Sequence, residues 1–148
     1  MKIDILMATY NGEKYLRQQI ESILNQTFKE FNLIICDDCS NDSTWEILQE
    51  YKNKDNRIKL VRNQKNLGYN KNFEKLLSFV KSDYFMLSDQ DDFWLKNKVE
   101  ESYRKIKNEN LNLVCSDLEV VDENLNARHA SVWEYWPGYN IKNKINID

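Results

Sequence analysis

Glycine, proline and histidine are scarce: three, one and one in 148 residues. That scarcity removes several chemistries at once. The phosphate cradles G-x-x-x-x-G-K-[ST] and G-x-G-x-x-G are both missing, which argues against P-loop hydrolases and dinucleotide oxidoreductases. His129 is the only histidine and lies in an irregular C-terminal stretch, so a Ser-His-Asp hydrolase finds no support. Cysteine is limited to Cys36, Cys39 and Cys115. Cys36 and Cys39 spell C-x-x-C, but a structural zinc site takes four ligands, and only Cys115 and His129 remain, without partner spacing. Cys36 therefore reads as a small buried residue and Cys39 as a loop thiol. No apolar run approaches the ~18 residues of a membrane span, and the N-terminus has no signal-peptide pattern. A cytoplasmic protein is the expectation. The net charge is −3 with pI about 5.3, with no basic face of the kind that binds nucleic acid.

What is present suits one domain with a proper core: 41% of residues are hydrophobic and 30% charged. Short apolar runs alternate with helical periods. Ile3 to Met7, Phe31 to Cys36, Ile58 to Val61, Tyr84 to Leu87 and Leu111 to Ser116 read as strands, and Leu118 to Val121 as a further one. Tyr84 to Leu87 has the length of a buried strand. Between them, helix faces are marked by Leu16, Ile20, Ile23 and Leu24; by Trp45, Leu48 and Tyr51; by Phe73, Leu76, Leu77 and Val80; and by Val99, Tyr103 and Ile106. Ser43 or Thr44 starts the second helix, with Glu46 placed as in a capping box. Periodicity fails beyond Asp122. The chain divides into a domain over residues 1–122 and a tail over 123–148 containing Trp133, Tyr135, Trp136 and Tyr139.

Alternating strands and helices predict an α/β fold with a mostly parallel sheet and right-handed crossovers. Such sheets bind ligands at the carboxyl ends of their strands. The polar clusters fall there: Thr9 to Glu13, Asp37 to Asp42, Asn66 to Gly68, Asp89 to Asp92, and Asp117. The densest is Ser88-Asp-Gln-Asp-Asp-Phe-Trp94. Asp89 and Asp91 offer hard oxygen ligands suited to Mg²⁺ or Mn²⁺, an ion that completes its shell with water and substrate phosphates. A nucleoside diphosphate is the ligand this chemistry favours, with Asp37 accepting from a base N–H or ribose hydroxyls.

The ordered set Met7-Ala-Thr-Tyr-Asn-Gly, Leu24-Asn-Gln-Thr-Phe, Asp37-Asp-Cys-Ser-Asn-Asp-Ser-Thr, Asn66-Leu-Gly and Ser88-Asp-Gln-Asp-Asp-Phe-Trp resembles the family 2 glycosyltransferases of GT-A fold. The D-Q-D-D-x-W form is similar to the bacterial rhamnosyl and capsular-polysaccharide branch. The resemblance implies a Rossmann-like, mostly parallel sheet flanked by helices, truncated after the nucleotide-binding half. It implies inverting, metal-dependent transfer of a hexosyl or rhamnosyl group from a UDP- or dTDP-sugar to a glycan or lipid-linked acceptor, in surface polysaccharide synthesis. Ala8, Thr9, Tyr10 and Glu13 would then border the nucleotide pocket, Asp37 contact the base and Asp38 shape its loop. Asn66 and Gly68 would border the donor, Asp89 face ribose or metal, and Asp91 be the principal metal ligand. Asp92 and Trp94 would shape the donor–acceptor boundary, although Tyr10 and Trp94 also suit simple packing. The family's general base lies in an acceptor-binding half whose motif is absent after Asp92; Asp117 is the one acceptor-side candidate. The alternative is a non-catalytic nucleotide-sugar-binding domain that needs a partner or a missing segment. Location at the inner membrane face would come through the acceptor, and self-association is left open.

Overall fold

A computed structural model describes residues 2–135. The chain falls into two compact units, Met1–Glu100 and Glu101–Asp148. Trp136 and Tyr139 of the aromatic tail lie outside the described residues.

The first unit carries β1 (Ile3–Thr9), α1 (Leu16–Leu24), β2 (Phe31–Asp37), α2 (Thr44–Lys54), β3 (Ile58–Arg62), α3 (Tyr69–Leu77) and β4 (Tyr84–Ser88). Its four strands lie in the order β3-β2-β1-β4, and every pairing is parallel. All seven residues of β1 are buried, as the near-continuous apolar run of a strand covered on both faces requires. Alternation sends Leu6 and Ala8 of β1, with Ile34 and Cys36 of β2, to the face covered by Phe73 and Leu76 of α3. The intervening Ile5, Met7, Leu33 and Ile35 are also buried, as are Leu16, Ile20 and Ile23 of α1 and Leu48 of α2. Cys36 is fully buried, and that burial pushes its thiol up to about 11, so it behaves as a small apolar residue. Cys39 sits in the following loop at φ 65°.

Three expectations need correction. Tyr84–Ser88 is a strand, and its acids do begin just beyond it, but it is an edge strand and is not buried. Phe85 and Leu87 are 48% and 53% exposed, because α3 packs on β1 and β2 and leaves that face of β4 open. Second, Ser43 is the N-cap of α2, yet no capping box forms. The Thr44 N–H goes to Asp42 Oδ1 (3.0 Å) and the Ser43 N–H to Glu13 Oε2 (3.0 Å), so a carboxylate from another loop does the work assigned to Glu46. Third, Leu111 to Ser116 forms no strand. A strand persists only where a neighbour takes its N–H and C=O groups, and Leu113 here is 72% exposed.

The α4 helix (Lys98–Asn108) crosses the boundary between the units. Within the described residues of the second unit, β5 (Val120–Val121) and β6 (Ala127–His129) form an antiparallel pair with an irregular register, followed by α5 (Val132–Tyr135). The Asp122 carboxylate closes that hairpin by accepting from Asn124, Asn126 and Arg128.

Candidate functional site

Parallel β1 and β4 separate at their carboxyl ends: the ladder stops at Met7 and Ser88. A cavity of about 440 Å³ opens there. It is lined by Ala8 and Thr9 at the end of β1 and Tyr10 just past it, Asp38 after β2, Asn66 and Gly68 before α3, and Asp89 and Asp91 after β4. Eight residues singled out from the sequence thus share one wall, contributed by four separate loops. Tyr69, Asn72 and Gln90 complete the lining.

Each loop is held by side chains. Asp38 donates its N–H to Thr9 O (2.8 Å). Its carboxylate accepts from Asn63 Nδ2 and the Leu67 N–H through Oδ1 (2.7 and 2.8 Å) and from the Gly68 N–H through Oδ2 (2.8 Å). It therefore ties the second loop to the start of α3. Gly68 adopts φ 83°, which a side chain disfavours, so the residue type is set by the backbone and not by space. Asn72, on the first turns of α3, donates to Cys36 O (2.9 Å) and accepts from Asn63 (3.1 Å).

Two of the proposed site residues of the first unit, Asp37 and Glu13, stand off this wall. Asp37 is fully buried, and its carboxylate is engaged by Ser40 Oγ (2.5 Å), the Ser40 N–H (3.2 Å), Thr9 Oγ1 (3.4 Å) and Arg62 Nε (3.2 Å). Arg62 in turn lies over the Trp45 ring. Those bonds leave Asp37 in the framework under the loop. Glu13 is exposed and serves the N-terminus of α2, as described above. Asp117 lies in the second unit. Burial would raise its carboxyl, but bonds from Ser131 Oγ and the Leu118 and Trp133 N–H groups hold it below the ordinary range. His129 closes the β5–β6 hairpin strand and is exposed.

The acids after β4 are electrostatically strained. Burial and the Asp91 charge raise the Asp89 carboxyl, opposed by the Tyr69 hydroxyl, which donates to Asp89 Oδ1 (3.2 Å). Burial, then Asp89 and Asp91, raise Asp92, opposed by Lys98. Burial lowers the Lys98 ammonium, against Asp92. Two cavity carboxylates with excess negative potential suit a divalent cation. Among the described residues no group of three or more His, Cys, Asp or Glu side chains is arranged to hold a metal. Trp94 is buried, with its N–H on Ser22 Oγ (3.1 Å) and Lys98 over its ring, which favours the packing reading. Tyr10 is 43% exposed, against it.

Sequence reasoning missed Tyr69, Asn72 and Gln90. Tyr69 and Asn72 follow Gly68 in a helix whose apolar face drew attention elsewhere; their position on its first turns was the available signal. Gln90 sits between two acids, and nothing local sets it apart.

The family model for glycosyl transferase family 2 matches residues 4–148. An uncharacterised glycosyltransferase of Methanocaldococcus jannaschii is 37% identical over 127 residues, covering 84% of this chain and 44% of that protein. The Escherichia coli UDP-Glc:α-D-GlcNAc-diphosphoundecaprenol β-1,3-glucosyltransferase WfgD is 30% identical over 122 residues, covering 82% and 47%. The crystal structure of S. aureus TarS 1-349 in complex with UDP-GlcNAc superposes with a TM-score of 0.69 at 27% identity, covering 86% of this chain and 42% of that one. The chain spans less than half the length of each. Among the described residues, no helix is long and apolar enough to cross a membrane.

Proposed function

The chain belongs to glycosyl transferase family 2, and from that premise we propose that its first unit binds the nucleotide-diphosphate-sugar donor of a metal-dependent, inverting transferase. The donor is a UDP- or dTDP-sugar, and the acceptor is a glycan or lipid-linked oligosaccharide in bacterial surface polysaccharide synthesis. One observation carries the reading: four loops, each fixed by its own hydrogen bonds, converge Ala8 to Tyr10, Asp38, Asn66 to Gly68 and the Asp89/Asp91 pair on one cavity. Relatives named for UDP-Glc and solved with UDP-GlcNAc support a uridine donor.

Asp38 takes the nucleotide-reading role that the sequence alone gives to Asp37. Asp37 has no cavity surface, whereas Asp38 Oδ2 accepts one bond from Gly68 and keeps a second acceptor position. Ala8 to Tyr10 form the floor, and Asn66 and Gly68 border the diphosphate. Asp89 and Asp91 would hold Mg²⁺ or Mn²⁺. When bound, that ion neutralises charge developing on the leaving diphosphate. Tyr69 keeps one Asp89 oxygen oriented and leaves the other to the ligand. Inversion requires a base on the acceptor face opposite the departing nucleotide.

The test is calorimetric titration of the chain with UDP and with dTDP, each with and without Mn²⁺. Binding that requires the metal, and that disappears in a folded Asp91→Ala variant, supports the assignment. Metal-dependent affinity unchanged by Asp91→Ala would defeat it.

A further inference from the structure

The β1–β4 ladder ends at Met7 and Ser88, yet the two segments stay linked further on, at Tyr10 and Gln90. The link is a side chain. Gln90 Oε1 accepts the Tyr10 N–H at 2.9 Å, and Gln90 Nε2 donates to Tyr10 O at 3.0 Å. One carboxamide thus satisfies both backbone groups of a residue that has lost its strand partner, as an opposing strand would. Only a side chain with donor and acceptor at this reach does so: Glu lacks the donor, and Asn is one methylene short. Gly12 is matched to it. A Cβ there would meet Gln90 Oε1 at 2.2 Å, so the glycine leaves room for the carboxamide. The backbone between them turns at Asn11, φ 48°.

We propose that Gln90 is a positioning residue that sets the width of the cleft between the nucleotide-binding floor at Ala8 to Tyr10 and the acids Asp89 and Asp91. Backbone pairing would close β1 onto β4 and remove the cavity. No pairing would let the acid loop drift. A carboxamide holds the two loops one side-chain length apart and fixes Asp89 and Asp91, its chain neighbours, opposite Tyr10. The inference rests on the donor-binding reading above for its functional half, while its structural half stands alone.

Two variants and two measurements test it. Gln90→Met keeps length and volume but neither hydrogen bond; Gly12→Ala displaces the carboxamide without altering it. Amide exchange of Tyr10, followed by NMR on the full chain, is expected to quicken at least tenfold in both, with the melting temperature little changed. Affinity for UDP in the presence of Mn²⁺ is expected to fall about tenfold in both, the size of one net hydrogen bond, and metal-free affinity to fall less. Unchanged Tyr10 exchange in Gln90→Met overturns the latch. Faster exchange with unchanged Mn²⁺-dependent affinity overturns the positioning role. If the unaltered chain binds no nucleotide with Mn²⁺, the donor-binding reading fails and the positioning role falls with it; Tyr10 exchange then judges the latch alone.

Discussion

Replacing Asp4 with alanine is predicted to weaken the fold at neutral pH by an amount that shrinks as the solution is acidified. Asp4 is 1% exposed within β1. Its carboxylate accepts from Asn32 Nδ2 (2.7 Å) and from the N–H groups of Lys81 (2.8 Å) and Ser82 (3.0 Å). The last two sit in the turn that delivers the chain from α3 into β4, so the residue ties down the strand that carries the site acids. Burial alone would raise this carboxyl, but the three bonds overcome it and hold the group below the ordinary value. Hydrogen bonds to a charged group contribute ~1.5–3 kcal/mol each, and groups left unsatisfied lose them incompletely because water enters. A loss of about 3 kcal/mol is therefore expected for Asp4→Ala at pH 7. The sign with pH follows from linkage. A depressed folded pKa gives stability that is present above the unfolded value, ~3.9, and is lost as pH falls through the folded value. The gap between wild type and Asp4→Ala should narrow below about pH 4, while an Asp4→Asn variant, which keeps one acceptor and cannot ionise, should show no such titration relative to Asp4→Ala. Urea unfolding at pH 7, 5 and 3 measures all three. A cost under about 1 kcal/mol at pH 7, or a gap that is constant down to pH 3, would refute the reasoning.

Asp37→Asn should lower the melting temperature by several degrees, since Arg62 and Ser40 lose a buried charged partner worth about 2–3 kcal/mol; a selective loss of nucleotide binding with unchanged melting would return the base-reading role to Asp37. Gly68→Ala should cost about 1–2 kcal/mol from the φ of 83° alone, with no clash, and Gly68→Asn less, checked by thermal unfolding. Asp38→Ala should cost stability, since Asn63 Nδ2 and the Leu67 and Gly68 N–H groups lose a buried acceptor, and should also weaken nucleotide binding by the chains that stay folded; unchanged affinity, titrated well below the urea and thermal midpoints, would count against its role. Tyr69→Phe should change metal-dependent UDP affinity by no more than about tenfold, one hydrogen bond on Asp89, and leave unfolding unaffected.

The identity and order of the first four strands, and the placement of polar clusters at their carboxyl ends, were legible in the sequence. Hydrophobic pattern is a local property: Ile3 to Met7 and Phe31 to Cys36 read as strands from a few neighbouring residues, and the structure extends them only to Thr9 and Asp37. The parallel order with crossovers follows from the same alternation, and so does the grouping of Ala8, Asp38, Asn66, Asp89 and Asp91. The carboxylate roles were not legible. Asp37 and Asp38 are adjacent and of one residue type; only the tertiary structure turns one under Ser40 and Arg62 and the other toward the cavity. Likewise Tyr84–Ser88 has the composition of an interior strand, and its exposure depends on what packs beside it. Leu111 to Ser116 has a strand's composition and forms none, because composition supplies no pairing partner. Gln90 shows the limit most plainly. Its neighbour in space is Tyr10, eighty residues away in the chain, and no periodicity reports a bond between a side chain and a distant backbone. Local pattern marks which segments are able to form, since that depends on residues a few positions apart. Which carboxylate faces a ligand, which strand is an edge and which side chain bridges two loops depend on contacts made only once the sheet has assembled.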